Sequence, residues 1–391
     1  MQPVGVPIFR NHLPVRIHFG DGISGMLPGL LQAEGVERAA LIVDDGLPGF
    51  NPPAADVIAA VEAAGVTLAR YDKPAGEPTV EMIDAATAVV RGSAVQAVIA
   101  LGGGSVIDTA KAARLCAQLG TDFRGFLASD RQYPQPEVPL FALPTTAGTG
   151  SEVSGGAVVS DPEAGTKSGI ASPLLRVQYA LVDPVLTHTA PPATTSYAGV
   201  DALAQAIAGM IARSRTPIGD AIALEAVRLI SRSLVAAHRD GANATARSDM
   251  ACGSMMAGLT MNISDCTAEH SLGQAIGGMF HVPHGLTIGL VLEQTLDRER
   301  AHVPEQLERV ADAMGAPLGG PGDGRRAVEA VRRLLKELDF PVFTSLGVTD
   351  AKLDELTELA LDDYFMTESP HPWSADEVRA AFAAALAVTV R

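Results

Sequence analysis

Short apolar runs alternate with longer helical patterns in the first half of the chain. Residues 39–44, 95–101 and 140–143 are short apolar runs typical of buried strands. Residues 55–64 and 105–119, which lie among these runs, have the composition of helices. Strands that alternate with helices predict an α/β domain built on a parallel, doubly wound sheet.

The pattern changes in the second half of the chain. Long segments rich in Ala, Leu and Met, such as residues 196–211, 218–237 and 327–338, predict helices with no strands between them. This half is therefore expected to form an all-α domain. We place the α/β domain at residues 1–187 and the all-helical domain at residues 188–391.

Composition restricts the class of protein further. The chain is 47% apolar and only 19% charged, which favours large buried cores and argues against disorder. Its net charge of −16 disfavours nucleic acid and anionic membranes as partners, because phosphates attract basic surfaces. Three cysteines without a CxxC pair, no signal-peptide core and no apolar run of about 18 residues predict a reduced, cytoplasmic protein.

A glycine-rich loop follows the second predicted strand. Gly102, Gly103 and Gly104 come directly after the strand, and Ser105 stands near the start of the next helix. Glycines let backbone N–H groups approach a pyrophosphate closely, and a helix N-terminus favours an anion. The loop lacks the common GxGxxG pattern, so a simple tight turn is the alternative interpretation.

Two aspartates end the first predicted strand. A carboxylate on Asp44 or Asp45 could accept hydrogen bonds from a ribose diol and would repel a 2′-phosphate. This position therefore favours NAD over NADP. Either residue could instead serve only as a helix cap or a turn residue.

A second loop, residues 144–153, follows the third predicted strand and reads Pro-Thr-Thr-Ala-Gly-Thr-Gly-Ser-Glu-Val. A solvated turn is seldom this rich in both hydroxyls and glycines. We expect its Thr and Ser donors to surround a phosphate or a nicotinamide.

Three of the nine histidines lie close together in the sequence, at His270, His281 and His284. Unbroken helix would hold His270 and His284 about 21 Å apart. Gly277–Gly278 and Pro283 offer a break that could fold the second histidine back towards the first. Clustered imidazoles favour a divalent metal site, and buried structural histidines are the alternative.

Together these motifs resemble the iron-containing (group III) alcohol dehydrogenase family, which is related to glycerol dehydrogenase and maleylacetate reductase. The matching segments occur in the family's order, namely Gly102–Ser105 with Asp108 and Lys111, Pro144–Glu152, Leu181–Pro184, Gly199–Leu203 and Pro283–Gly285. The resemblance implies a dinucleotide-binding domain, a helical domain and an active site in the cleft between them. It also implies a small alcohol or aldehyde substrate and a homodimer or larger assembly.

The resemblance also implies roles for individual residues. Asp45 would meet the adenosine ribose, and Lys167 matches a lysine that contacts the cofactor NAD(H). The other implied cofactor contacts lie in the two loops and the helix after the first, at Gly102, Gly103, Gly104, Ser105, Asp108, Thr145, Thr146, Thr149 and Ser151. Asp201, His270 and His284 match three of the family's four ligands to a divalent iron or zinc ion.

The chain departs from the family pattern at the remaining ligand. Gln205 occupies that position, and an amide oxygen is a weak ligand compared with imidazole. Gln274 stands where many members carry a histidine near the nicotinamide, and Ala208 where the family often has Glu. His281 does not match a ligand and is read as a pocket-wall or structural residue.

Two mechanisms follow from these departures. In one, a divalent ion held by Asp201, His270 and His284, with Gln205 as a weak ligand, polarises the substrate carbonyl. In the other, no metal binds, as in some maleylacetate reductases, and His270, His284 and Gln205 or Gln274 supply hydrogen bonds and the proton. We favour the first and take His270, His284 and Gln274 as the candidate catalytic residues.

The sequence thus predicts an NAD(H)-dependent alcohol dehydrogenase or carbonyl reductase. Polar residues before His270 favour a small polar alcohol or aldehyde as substrate, although they could instead cap a helix or face solvent; they are Asn262, Ser264, Asp265, Thr267 and Glu269. The alternatives are a lyase or cyclase of the dehydroquinate synthase kind and a catalytically degenerate nucleotide-binding protein.

Overall fold

The computed structural model describes residue 9 and residues 11–92, 94–163 and 166–390, with the backbone alone at 166–168. The chain divides into two compact units. The sheet unit comprises Pro14–Pro191 and Gly241–Ala251, and the helical unit comprises Pro192–Asp240 and residues 252–390. The predicted combination of an α/β region and an all-α region is confirmed. A domain boundary between residues 187 and 188 stays a prediction.

The sheet unit is built on six parallel strands in the order β1-β8-β5-β4-β2-β3. They are β1 (Arg16–Phe19), β2 (Arg38–Asp44), β3 (Thr67–Lys73), β4 (Ala97–Gly102), β5 (Leu140–Pro144) and β8 (Tyr179–Val182). A separate antiparallel pair consists of β6 (Gly156–Asp161) and β7 (Thr166–Ala171). The three predicted strands correspond to β2, β4 and β5.

Helices cover both faces of the parallel sheet. They are α1 (Leu27–Ala33), α2 (Leu47–Phe50), α3 (Pro52–Ala63), α4 (Val80–Gly92), α5 (Gly104–Leu119) and α6 (Phe123–Ala128). Leu41 and Val43 of β2 pack with α1 and α3 in one apolar cluster, while Ile42 points to the other face and is equally buried. Burial on both faces explains why the central strands are continuous apolar runs.

The strand order changes direction beside β2. The chain passes from β2 to β3 on one side and then crosses to β4 on the other side of β2. The connections after β2 and β4 therefore diverge and leave a crevice at the carboxyl ends of these two strands. In open α/β sheets, ligands bind at such a switch point.

The helical unit contains most of the remaining helices. They are α7 (Pro192–Ile211), α8 (Pro217–Arg239), α9 (Ala244–Ser264), α10 (Ala268–Phe280), α11 (His284–Glu299), α12 (Pro304–Ala313), α13 (Arg325–Glu337), α14 (Leu353–Leu361) and α15 (Ala375–Leu386). The three helices predicted in this half correspond to α7, α8 and α13. In α7, every residue from Gly199 to Ile211 is buried, and α10 and α11 pack against one another nearby.

Short 3₁₀ helices connect some of these elements, at Ile23–Met26, Pro173–Leu175, Pro184–Thr187, Phe343–Leu346, Asp350–Lys352 and Tyr364–Glu368. Within the described part of the chain, none of the helices combines the length and the apolar character needed to cross a bilayer.

Candidate functional site

The glycine loop lies at the switch point of the sheet. β4 ends at Gly102, and α5 begins at Gly104, so the N-terminus of α5 opens at the carboxyl end of β4. A Cβ atom on Gly104 would lie 2.4 Å from the Oγ1 atom of Thr149. A Cβ atom on Gly102 would lie 2.6 Å from the Cγ2 atom of Val106. Both positions therefore require glycine for packing as well as for access to the backbone.

Asp44 joins the end of β2 to this loop. Its Oδ2 atom accepts a hydrogen bond of 3.2 Å from the backbone N–H of Gly103. Burial raises the pKa of Asp44, and this hydrogen bond and the charge of Lys73 oppose the rise. Asp45, the residue predicted to meet a ribose, is exposed at the same end of the strand. The apolar run alone did not distinguish the two aspartates, because both follow it, and only the resemblance pointed to Asp45.

The hydroxyl-rich loop packs directly beside the glycines. The backbone N–H of Thr145 donates to Gly102 O at 3.0 Å. Thr146 and Thr149 are half-buried and face Gly103 and Gly104, respectively. The structure therefore brings together the two loops that the sequence singled out separately.

Asp108 and Ser151 lie one layer behind these loops, in a buried network. The Ser151 hydroxyl donates to the carboxylate of Asp108, whose other oxygen accepts from Val158 N at 3.1 Å. The Nζ atom of Lys111 lies 2.9 Å from Ser151 Oγ and 2.7 Å from Gly156 O. In this arrangement Asp108 and Ser151 fix the loop, and direct contact with a cofactor stays a prediction for both.

Lys167 belongs to β7, where its backbone pairs with Ser160. Its side chain lies outside the described residues, so its predicted contact with the cofactor stays a prediction. Ser105 is the second residue of α5.

The predicted metal ligands converge in the helical unit. Asp201 Oδ1 lies 3.5 Å from His270 Nε2 and 3.7 Å from His284 Nε2. One ligand atom from each of these residues lies within 4.8 Å of the others. Gln205 is one turn after Asp201 on α7, and its Nε2 atom donates to Asp201 Oδ2 at 3.2 Å.

The chain reverses between the two histidines at Pro283, one of the two predicted breaks, and not at the glycine pair. Helix α10 continues through Gly277 and Gly278 to Phe280, and its C-cap residue His281 has a φ of 51°. Pro283 then precedes the first residue of α11, His284. The prediction of a break at the glycine pair was wrong, because internal glycines keep their N–H groups, whereas Pro283 cannot donate one. His281 is exposed and caps the helix, in agreement with a structural role.

The polar atoms of this cluster suit a cation. Asp201 Oδ1, His270 Nε2 and Gln205 Oε1 are buried and have no hydrogen-bond partner among the described residues. The separations of 3.5 and 3.7 Å are too long for N–H···O hydrogen bonds. They match the spacing of about 3.4 Å expected between atoms that each lie roughly 2.0–2.1 Å from a tetrahedral ion. The residues present therefore fit a divalent metal.

The charge of Asp201 is favoured in this setting. Burial alone would raise the pKa of its carboxyl, but the neighbouring His284 and the interaction with His270 outweigh that effect and lower it. Asp201 is 1% exposed, so its negative charge is held in the interior, and its basic neighbours within the described part of the chain are His270 and His284. An anionic oxygen and two imidazoles are a common ligand set for zinc or iron.

Three other residues lie around the cluster. The ring of Phe365 meets that of His270 edge to face, with 5.6 Å between centroids. Gln274 is half-buried on α10, one turn after His270, and its catalytic role stays a prediction. Glu269, which sequence reasoning treated only as one of several polar residues, is 3% exposed and contacts the ring of His270.

The sequence matches two models of one protein family. Residues 14–184 match the family described as iron-containing alcohol dehydrogenase. Residues 195–386 match the C-terminal part of the Fe-containing alcohol dehydrogenase family. Choline dehydrogenase of Bacillus subtilis (strain 168) is 30% identical over 357 residues, which cover 90% of this chain and 88% of that protein.

Solved structures agree with these sequence matches. The crystal structure of a 1,3-propanediol oxidoreductase has a TM-score of 0.92 and 28% identity, and covers 97% of this chain and 100% of the other. Sulfoacetaldehyde reductase from Bifidobacterium kashiwanohense, in complex with NAD+, has a TM-score of 0.89 and 26% identity, with 98% and 100% covered. The fold around both loops and the ligand cluster is therefore that of solved proteins.

Proposed function

The chain belongs to the iron-containing alcohol dehydrogenase family and is an oxidoreductase that acts on CH–OH groups, and from this premise we propose that it is an NAD(H)-dependent, metal-assisted alcohol dehydrogenase or carbonyl reductase. Hydride would move between the nicotinamide and the carbon of a small polar alcohol or aldehyde. The observation that carries this proposal is the convergence of ligand atoms from Asp201, His270 and His284 within 4.8 Å of one another. Two of them, Asp201 Oδ1 and His270 Nε2, are buried and have no hydrogen-bond partner among the described residues.

Asp201, His270 and His284 would hold the metal, and the Oε1 atom of Gln205 faces no other partner within the described chain. When bound, a divalent ion would polarise a carbonyl and stabilise the alkoxide that develops during hydride transfer. The protein's own contribution is to fix these ligands on three packed helices and to shield one side of His270 with Phe365. Zinc and iron both suit this ligand set.

The cofactor proposal rests on the sheet unit alone. The N-terminus of α5 and the glycines before it offer backbone donors to a pyrophosphate at the switch point. Thr145, Thr146 and Thr149 supply hydroxyls beside them. The exposed carboxylate of Asp45 favours NAD(H), because a 2′-phosphate would be repelled there. A relative of this fold is known in complex with NAD+.

The substrate class follows from the relatives named above. Their names specify choline, 1,3-propanediol and sulfoacetaldehyde, all small molecules with a second polar group. We therefore propose a small polar alcohol or aldehyde for this chain as well. We also propose a cytoplasmic homodimer or larger assembly that has no nucleic-acid or membrane partner.

The first experiment measures the metal content of the purified protein by elemental mass spectrometry before and after chelation. Oxidation of NADH and NADPH is assayed in parallel on a panel of small polar aldehydes. We expect about one zinc or iron per chain, loss of turnover on stripping, recovery on re-addition, and a preference for NADH. Gln205→His should bind the ion at least ~10-fold more tightly, because imidazole is the better ligand.

Two further variants complete this experiment. Asp201→Asn should abolish metal binding. Asp220→Asn is the matched control, since Asp220 is also a buried carboxylate on a helix of this unit but pairs with Arg215 and Arg309. Undiminished turnover without metal would move the chain to the metal-independent mechanism of the maleylacetate reductase type. NADH binding without metal or turnover would leave a nucleotide-binding protein that has lost catalysis.

A further inference from the structure

Glu269 is a buried carboxylate that the proposed reaction does not use. Both Glu269 and its neighbour His270 are 3% exposed, in the first turn of α10. The Oε1 atom of Glu269 lies 2.9 Å from the Nδ1 atom of His270. An ionised carboxylate can only accept hydrogen bonds. The contact therefore requires a hydrogen on Nδ1 of His270.

Thr267 holds the same carboxylate from the other side. Its backbone N–H donates to Glu269 Oε1 at 3.2 Å, and its hydroxyl donates to Oε2. With the Nδ1–H of His270, three donors meet one carboxyl group. The carboxyl group of Glu269 is therefore fixed in place against the ring of His270.

The position of the hydrogen on Nδ1 determines what Nε2 of His270 can do. In a neutral imidazole only one nitrogen carries a hydrogen, so Nε2 presents a lone pair. That atom is the one that lies 3.5 Å from Asp201 Oδ1 and has no hydrogen-bond partner in the described chain. A cation bound between these two acceptors would satisfy both of them.

Charge balance points the same way. Gln205 is neutral, so among these contacting residues Asp201 and Glu269 carry the formal negative charges. A divalent ion with Asp201 alone would leave one net positive charge in a buried site. With Glu269 included, the site is neutral, and a buried charge that is balanced is far less unfavourable than one that is not.

We propose that Glu269 is a positioning residue, which holds His270 as the Nδ1–H tautomer and neutralises the divalent ion bound by Asp201, His270 and His284. This inference rests on the proposed function, because it requires that an ion binds. Glu269 would not itself contact the ion but would act on it through His270. Carboxylates that accept from the second nitrogen of a metal-bound histidine raise its basicity and fix its orientation.

The test measures zinc affinity of the full-length metal-free protein by competition with a chromophoric chelator. Glu269→Ala should weaken zinc binding by about 10–100-fold, the effect typical of such partners. Glu269→Gln, which keeps an acceptor but loses the charge, should weaken it less. Glu293→Gln is the matched control, because Glu293 is a buried carboxylate on α11 that pairs with Arg332 at 2.9 Å. Its zinc affinity should equal that of the wild type.

A second readout distinguishes positioning from a merely structural role. In protein labelled with ¹⁵N-histidine, the His270 ring, assigned by its loss in His270→Gln, should show hydrogen on Nδ1 in the wild type. In Glu269→Ala the tautomers should mix. If Glu269→Ala does not fold, Glu269→Gln with native circular dichroism decides the affinity comparison.

The outcomes separate this inference from the proposed function. Wild-type protein that binds zinc, together with a Glu269→Ala variant that binds it equally well, overturns the role of Glu269 alone. A neutral His270 ring that carries its hydrogen on Nε2 and none on Nδ1 in the wild type overturns it as well. Wild-type protein that binds no divalent metal at all overturns the metal-assisted mechanism, and this inference with it.

Discussion

Gly285 sets the distance between two helices that carry candidate ligands. A Cβ atom at this position would lie 2.2 Å from the backbone oxygen of Tyr197 on α7. The missing side chain therefore lets the first turn of α11 touch the backbone of α7. Because Asp201 lies on α7 and His284 precedes Gly285, this approach brings His284 Nε2 to 3.7 Å from Asp201 Oδ1.

Gly285→Ala is expected to push the start of α11 away from α7, since the backbone of Tyr197 cannot rotate aside. We expect zinc affinity to fall by at least ~10-fold, the effect typical when the support of a ligand is lost. Chelator competition measures it. Gly278→Ala is the control, because a Cβ atom there meets nothing within 4 Å. Equal zinc affinity in the two variants would contradict this account of Gly285.

The site residues were predicted best where the chemistry of the side chains and the family resemblance both pointed to metal binding. Asp201, His270 and His284 were singled out from the sequence, and the structure brings them together. Glu269 was not assigned a role, because neighbouring residues on a helix normally point in different directions. Its side chain turns back onto His270 only because Thr267 holds it there, and sequence spacing does not reveal such a turn.

Elements were predictable where burial is uniform and less so at the edges of the sheet. β2, β4 and β5 lie in the middle of the sheet and are apolar throughout. β3 is an edge strand that reads Thr-Leu-Ala-Arg-Tyr-Asp-Lys and is half exposed, so it lacks an apolar run. β1, at the other edge, has only four residues. Neither edge strand was identified in the sequence. The buried interior strand β8 was missed as well, because it has only four residues.

The end of α11 is fixed to the C-terminal segment by one buried contact. Glu299 is 1% exposed, and its Oε1 atom accepts from the Nε1 atom of Trp373 at 2.6 Å. Its Oε2 atom has no hydrogen-bond partner within the described residues. Burial raises the pKa of Glu299 to about 7, although the Trp373 hydrogen bond and Arg298 act in the opposite direction.

Because of the raised pKa of Glu299, we expect the free energy of unfolding to decrease as the pH rises. Because the folded pKa is raised, the native state retains a proton that the unfolded state releases, and stability falls as pH rises from about 4.5 to about 7. Between pH 5.5 and 8 the loss is on the order of 2 kcal/mol. Glu299→Gln keeps an acceptor for Trp373 and should lack this loss.

Thermal unfolding at several pH values checks the prediction. The midpoint of Glu299→Gln should rise relative to the wild type as pH increases from 5.5 to 8. Glu358→Gln, which changes an exposed carboxylate on α14, controls for general charge effects. A difference between Glu299→Gln and the wild type that does not change with pH would contradict the assignment.

The sheet unit is made from two separate stretches of the sequence. Its main part ends at Pro191, and Gly241–Ala251 is counted with it although helical residues lie between. Arg247 secures this returning segment. It is 3% exposed, and its guanidinium donates to Gly241 O at 3.0 Å and to Ala190 O at 3.2 Å. The sequence indicated one boundary between two halves and gave no sign of the return, because α9 runs unbroken across residue 251.

Arg247→Leu removes these two hydrogen bonds, so that the carbonyl oxygens of Gly241 and Ala190 each lose a donor. We expect the free energy of unfolding to fall by about 3–6 kcal/mol, from roughly 1.5–3 kcal/mol for each hydrogen bond to a charged group. Hydrogen exchange should become faster around Ala190 and Gly241, and the thermal midpoint should fall. Arg333→Leu is the control, because Arg333 is half exposed and its contact with Glu337 is long, with 4.0 Å between Nε and Oε1. Equal midpoints for the two variants would show that Arg247 does not secure the segment.

The discontinuity has a consequence for synthesis on the ribosome. The ribosome completes the last strand of the sheet at Val182 and the main part of the sheet unit at Pro191. It completes the final segment of that unit only at Ala251, 60 residues after Pro191. At about 5–20 residues per second, the nascent unit waits roughly 3–12 s for that segment. During this interval its surface is unfinished and open to chaperones. For the same reason, a gene fusion that transplants this unit needs two junctions, since a single crossover at residue 191 would leave its last segment behind.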